Sequence, residues 1–137
     1  MTPLTTITHA LSDPNRVRLL VACLEQERCV CQLVELIDLS NASISKHLST
    51  LKNAGLLESR REGRWVHYQA TPNPEPIIAD AFTFVRTHAM DDHQIQADQV
   101  KLAEIDTIDP SELAKKQRTA SCCTTTDCCE AVQGDQP

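Results

Sequence analysis

The sequence predicts a mainly α-helical chain with one small β-hairpin, and three observations carry that prediction. Apolar residues recur at helical spacing in three successive stretches between Val17 and Leu51. A four-residue break, Asp38-Leu39-Ser40-Asn41, separates the second stretch from the third. The segment Leu56–Ala70 then alternates about an Arg-Glu-Gly tip, the two-residue period of paired strands. The aromatics are Phe82, Phe84, Trp65 and Tyr68 alone, so the core must be built from Leu, Ile and Val, which suits packed helices.

Asp13-Pro14 marks the first helix start, with Asp as N-cap and Pro at the first helical position. Val17, Leu20, Val21 and Leu24 follow as one stripe on a helix of about residues 14–26. After a break at Glu25–Arg28, a second helix begins at Cys29-Val30-Cys31 and repeats the spacing with Val30, Leu33, Val34 and Ile37. Ser40 or Asn41 caps a third helix, which buries Ile44, Leu48 and Leu51 and stops at Gly55, the residue type favoured just past a helix end. Two short helices joined by about four residues make a helix-turn-helix, and a basic hairpin directly after it is a wing.

Pro72, Pro74 and Pro76 set the entry to a long helix carrying Ile77, Ile78, Ala81 and Val85 on one face. No intramolecular partner is evident for that face, and so small a domain gains stability by burying more surface. The helix is therefore assigned to a homodimer interface. Apolar periodicity fades beyond Asp91, Asp109-Pro110 can cap one more helix over about 110–119, and Ser121–Pro137 has the composition of a disordered tail. The expected organisation is a winged-helix DNA-binding and dimerisation domain over 1–92 and a variable extension over 93–137.

The net charge of −6 argues against a nucleic-acid partner until its distribution is read. Residues 41–70 carry five basic groups against two acidic, net +3, while the flanks are net −2 and −7. The basic segment coincides with the third helix and the hairpin, and local charge is what attracts phosphate. Asn41, Ser43, Ser45, Lys46 and His47 lie off the apolar stripe of the third helix or at its N-terminus, where they can reach phosphates and base edges of an operator duplex. Arg60, Arg61 and Arg64 on the wing add salt-dependent phosphate contacts. No apolar run approaches the ~20 residues of a membrane span, and the polar start is unlike a signal peptide, so a cytoplasmic protein with no membrane partner is expected.

The seven cysteines fall in clusters rather than in a disulfide framework. Cys29 and Cys31 sit beside the DNA-reading element. Residues i and i+2 lie ~200° apart on a helix, so both cannot fill one core. An ion held by both sulfurs would have to distort the first helical turn. Cys122, Cys123, Cys128 and Cys129 are candidates for a third thiolate, and soft thiolates select arsenic(III), lead, cadmium, mercury and copper(I). Cys23 lies near an apolar stripe and reads as core. A Cys-x-x-Cys redox pair, a phosphate-binding glycine loop and an organic-cofactor motif are all lacking, so an enzyme is not expected.

Four ordered segments carry a resemblance: Ala10–Leu20, Cys29–Leu33, Ser43–Leu48 and Leu51–Leu57. Together they resemble the ArsR/SmtB family, dimeric winged-helix repressors that leave operator DNA on binding a metal or metalloid ion; the likeness spans about residues 5–92. In that family a Cys-Val-Cys pair at this place implies an arsenic(III)/antimony(III) sensor or a cadmium/lead sensor. The arsenic type often has a further Cys three residues after the second, where this chain has Val34. The family's other site, an Asp-x-His pattern across the long helix, is matched here at only two of four positions. The resemblance thus implies a repressor released by arsenic(III) or antimony(III), with a cadmium/lead or thiol-redox sensor of the same fold as alternative. A soft-metal carrier using the tail fits the basic wing less well.

Overall fold

A computed structural model describes residues 2–122, with side chains to Gln117; the expected disordered tail lies outside the described residues except for Ser121 and Cys122, whose backbone completes the last helix. In chain order the elements are α1 (Pro3–Ala10), α2 (Pro14–Glu25), β1 (Arg28–Cys29), α3 (Val30–Leu36), α4 (Asn41–Asn53), β2 (Leu57–Glu62), β3 (Trp65–Ala70), α5 (Pro76–Ala89), α6 (His93–Ile105) and α7 (Pro110–Cys122). None of the described helices is long and apolar enough to cross a membrane.

The anticipated caps are present. Asp13 accepts from the N–H groups of Asn15 and Arg16 at the start of α2, and Ser40 accepts from Ser43 N–H at the start of α4. Gly55 closes α4 with φ +85°, a left-handed conformation that costs glycine little. The hairpin pairs Leu57–Glu62 with Trp65–Ala70 through a two-residue turn whose Gly63 has φ +62°. The short β1 adds to the far side of β3, giving sheet order β1-β3-β2 and aligning Cys29 with His67.

Helix α2 runs through the centre of the core. Leu19 to Cys23 are all buried there, whereas Val17 and Leu24 of the expected stripe are only partly covered. Ile44, Leu48 and Leu51 of α4 are fully buried as their spacing requires. Burial at Leu19, Leu20, Leu33, Leu36, Ile44 and Leu48 supplies ~1.5–3 kcal/mol per side chain.

Three expectations need correction. The N-terminal segment is helical, because Thr2 caps it, Pro3 occupies its first position and Ile7 and Ala10 reach the core. Apolar periodicity does not fade beyond Asp91, because Ile95, Leu102 and Ile105 of α6 and Leu113 of α7 join the same core. The stripe on α6 is interrupted by Asp98, which is 3% exposed and forms a two-point ion pair with Arg18 at 2.8 and 2.9 Å. Finally, Ile78 and Val85 of α5 do not face outward. With Phe82 they pack into the chain's own core, leaving Ile77, Ala81 and the 63% exposed Phe84 on the outer face beside Leu4 of α1.

Candidate thiol site and nucleic-acid interface

Cys29 is the residue at which strand becomes helix. Its backbone is extended (φ −73°, ψ 148°), its N–H donates to Gln32 Oε1 at 2.9 Å, and Cys31 already lies within α3. This bend corrects the helical-wheel argument, since Cys29 belongs to no helix turn and both side chains are free to point the same way. Their sulfurs stand 2.9 Å apart, at 3% and 6% exposure.

The Cys31 thiol donates to Cys29 sulfur, and this hydrogen bond holds the Cys29 thiol down at about 6, against the raising effect of burial. The positive potential of His67, opposite on β3, adds to the lowering. Cys31 is pushed well above its ordinary value, first by that same hydrogen bond, then by burial and by the neighbouring thiolate. The pair thus holds one proton between two sulfurs near neutral pH. Cys23 behaves as the core residue expected, buried at 1% and pushed up to about 12 by burial.

The donor set fits a thiophilic ion. Two sulfurs on one ion with bonds of ~2.3 Å stand roughly 3.3–3.8 Å apart, so the pair needs to open by under about 1 Å. No unwinding of the α3 first turn is required, contrary to the sequence expectation. Among the described residues, no group of three or more His, Cys, Asp or Glu side chains is placed to hold a metal. Cys122 ends α7 with its side chain undescribed, and Cys123, Cys128 and Cys129 lie outside the described residues. Helix α7 itself docks on α3: Gln117 Nε2 donates to the Cys31 carbonyl at 2.8 Å and Lys116 pairs with Glu35 at 3.0 Å.

Helix α4 exposes Asn41, Ser45 and Lys46. Ser43 is half-buried in the cap with Ser40, and half-buried His47 turns its Nδ1 toward Arg16 Nη1 at 3.4 Å. On the wing Arg61 and Arg64 are exposed, but Arg60 is engaged by Glu27 at 2.5 and 3.1 Å and by Glu62 at 2.9 Å. Ser43, His47 and Arg60 are therefore engaged by other side chains, whereas Lys46 and Arg64 stand toward solvent, as does Arg61 apart from its Nε–H, which donates to the Gly63 carbonyl at 3.3 Å. No local pattern signals the Glu27–Arg60 pair, whose partners lie 33 residues apart. The expected dimer residues Ile77 and Ala81 line an apolar groove with Leu4, Ile7, Leu11 and Phe84, while Ile78 and Val85 lie inside.

The description "bacterial regulatory protein, arsR family" matches residues 13–59, from the cap of α2 into β2. The chain carries an ArsR-family helix-turn-helix domain. The arsenic resistance transcriptional regulator ArsR1 of Pseudomonas putida is 42% identical over 67 residues, 48% of this chain and 52% of the relative. A cadmium resistance transcriptional regulatory protein CadC homolog of Staphylococcus aureus is 47% identical over 63 residues, covering 45% and 52%. The chain spans about half the length of the curated relatives it matches. Among solved structures, the homodimeric winged helix-turn-helix DNA-binding domain Mb0332 of Mycobacterium bovis matches with a TM-score of 0.55 at 26% identity, over 66% of this chain and 81% of that one. The ArsR-family domain here is thus a winged helix, with α3 and α4 as its helix-turn-helix and β2–β3 as its wing.

Proposed function

We propose that this chain is a cytoplasmic, homodimeric transcriptional repressor that binds operator DNA through α4 and the wing. In this reading it lets go when arsenic(III) or antimony(III) bonds to Cys29 and Cys31. The observation that carries the reading is the buried sulfur pair, 2.9 Å apart at the root of β1, which is laddered directly to the wing strand β3. An ion that opens the pair displaces a strand end whose partner is part of the DNA-binding surface. The reading is supported further by the relatives, an arsenic regulator and a cadmium regulator.

The operator contacts fall to Asn41, Ser45 and Lys46 on α4 and to Arg61 and Arg64 on the wing, with Ser43, His47 and Arg60 supporting them. The dimer forms over the outer face of α1 and α5, where Leu4 and Phe84 are 60% and 63% exposed. A third thiolate comes from Cys122, Cys123, Cys128 or Cys129, which follow Gln117 and its hydrogen bond to the Cys31 carbonyl by five to twelve residues. The alternative is a thiol redox sensor, favoured by the same observation, since an ionised thiol beside a protonated one is arranged to form a disulfide when an oxidant removes two electrons.

Operator release titrated with arsenite, cadmium, zinc and hydrogen peroxide separates these readings. The parent should release with arsenite, and Cys29→Ser or Cys31→Ser should hold the operator without releasing it. Removing residues 121–137 should weaken arsenite binding. Release by peroxide, reversed by reductant, with arsenite inert would establish the redox reading instead. An unchanged arsenite response in the double serine variant would end both.

A further inference from the structure

The two sulfurs are anchored to different parts of the molecule. Cys29 lies in β1, and its ladder partner His67 belongs to the wing strand β3. Cys31 lies in α3, and its carbonyl is held by Gln117 of α7 at 2.8 Å. The same helix grips α3 again through Lys116 on Glu35, and Leu113 is buried beneath it at 1% exposure. Lys101 of α6 donates to the Leu36 carbonyl at the other end of α3, at 3.3 Å. Helix α3 is therefore fixed from the C-terminal side along its whole length. On its other flank α7 faces the wing across a cleft of about 500 Å³, with Arg64 and Trp65 on one wall and Glu112, Ala114 and Lys115 on the other.

We infer that Gln117 is a positioning residue for the thiol site, which makes ion binding act on the wing rather than on α3. The inference rests on the proposed function. Spreading the sulfur pair by under about 1 Å pushes Cys29 and Cys31 apart. Whichever side is held less firmly yields. With Gln117 holding the Cys31 turn to α7, the Cys29 side yields, β1 shifts and β3 moves with it. Without that hydrogen bond, the first turn of α3 absorbs the displacement and the ion binds with no consequence for DNA. Because linkage is reciprocal, the anchored protein also binds the ion less tightly while on its operator. The cleft between α7 and the wing is where the relative motion is felt, and Trp65, the only tryptophan in the sequence, lines it.

The experiment uses the full-length chain with arsenite as probe. Operator affinity is measured by fluorescence anisotropy, arsenite binding by equilibrium dialysis, and the wing by Trp65 emission. Gln117→Leu keeps bulk without a donor, and Gln117→Glu is nearly isosteric but only accepts when ionised. Both should bind operator like the parent in the absence of arsenite, which also shows that they fold; if one does not, the other carries the test, and loss of operator binding in both overturns the inference, because Gln117 would then serve the DNA-binding state itself. In the parent, arsenite should lower operator affinity by a factor within the usual ~5–150-fold range of coupling and shift Trp65 emission. In the variants arsenite should still bind, its effect on operator affinity should shrink to about 2-fold or less, and the Trp65 response should fade. Parent-like release in both variants overturns the inference, as does a Trp65 signal that stays silent while the parent releases. A parent that fails to bind arsenite at Cys29 and Cys31 sinks the inducer reading itself, a distinct outcome visible by dialysis.

Discussion

The shared proton of the thiol pair predicts that pH acts on arsenite and cadmium binding in opposite directions. Cys29 titrates at about 6, held down by the Cys31 hydrogen bond, while Cys31 is pushed up and stays protonated through neutral pH. Cadmium bonds to two thiolates. Above about pH 6 it must displace one proton, from Cys31, so its affinity should rise ~10-fold per pH unit, steepening toward ~100-fold per unit below that point. Arsenite, the uncharged trihydroxide, bonds to sulfur with loss of water. A thiol brings the proton that the leaving hydroxide needs, whereas a thiolate requires one from solution. With Cys29 ionised, bonding to both sulfurs takes up one proton, and arsenite affinity should fall ~10-fold per pH unit above about 6 and level off below it. A protonated third thiol from the tail leaves the arsenite slope unchanged and adds one proton to that of cadmium. Calorimetric titration in buffers of different ionisation enthalpy reads the proton count directly. An arsenite affinity flat between about pH 6.5 and 8.5 would refute the ionised Cys29, and with it the asymmetry of the pair. Cys31→Ala removes the donor, so the ultraviolet thiolate absorbance of Cys29 should then titrate at higher pH.

Lys46→Ala or Arg64→Ala should weaken operator binding by ~1–3 kcal/mol for a base contact and less for a phosphate contact. Arg60→Ala should leave a smaller loss in the same mobility-shift assay, since that guanidinium already serves Glu27 and Glu62. Phe84→Asp should give folded monomers in sedimentation, whereas Ile78→Asp buries an unpaired carboxylate in the core and should lower the melting temperature before dimerisation is tested. Asp98→Ala leaves Arg18 without its two-point partner in a largely covered site, a loss on the order of 3–5 kcal/mol by chemical denaturation. A wild-type stability in that variant would mean that α6 is held by Ile95, Leu102 and Ile105 alone.

What the sequence disclosed and what it hid divide along the range of the interactions. Caps, the C-terminal glycine of α4 and the hairpin turn are set by residues within a few positions of each other, and they were legible. Ile44, Leu48 and Leu51 were legible for the same reason, because a single apolar stripe has one way to face inward. Helix α5 has apolar residues on two faces, Ile78, Phe82 and Val85 on one and Ile77, Ala81 and Phe84 on the other. Periodicity identifies such a helix but not which face turns inward, and the interior went to the set that meets Gly55, where the Ile78 side chain approaches to 3.5 Å of where a Cβ would stand. Helix α6 was hidden by Asp98, a polar residue at a core position that makes sense only beside Arg18, 80 residues earlier.

The thiol site shows the same division within three residues. Sequence proximity points to Cys29 and Cys31, whereas a continuous helix through both would turn them apart. A two-residue strand carries no periodicity of its own, so β1 could be seen only through its partner β3, more than thirty residues later. That pairing stops the helix one residue short of Cys29, brings the two sulfurs together and ties one of them to the wing. Gln117 ties the other to α7, again from far along the chain. The residues that bond the ion are therefore local, while the two bonds that give its binding an effect at DNA are both long-range. Variants at Cys29 and Cys31 should abolish sensing outright, and variants at the anchors should separate sensing from release.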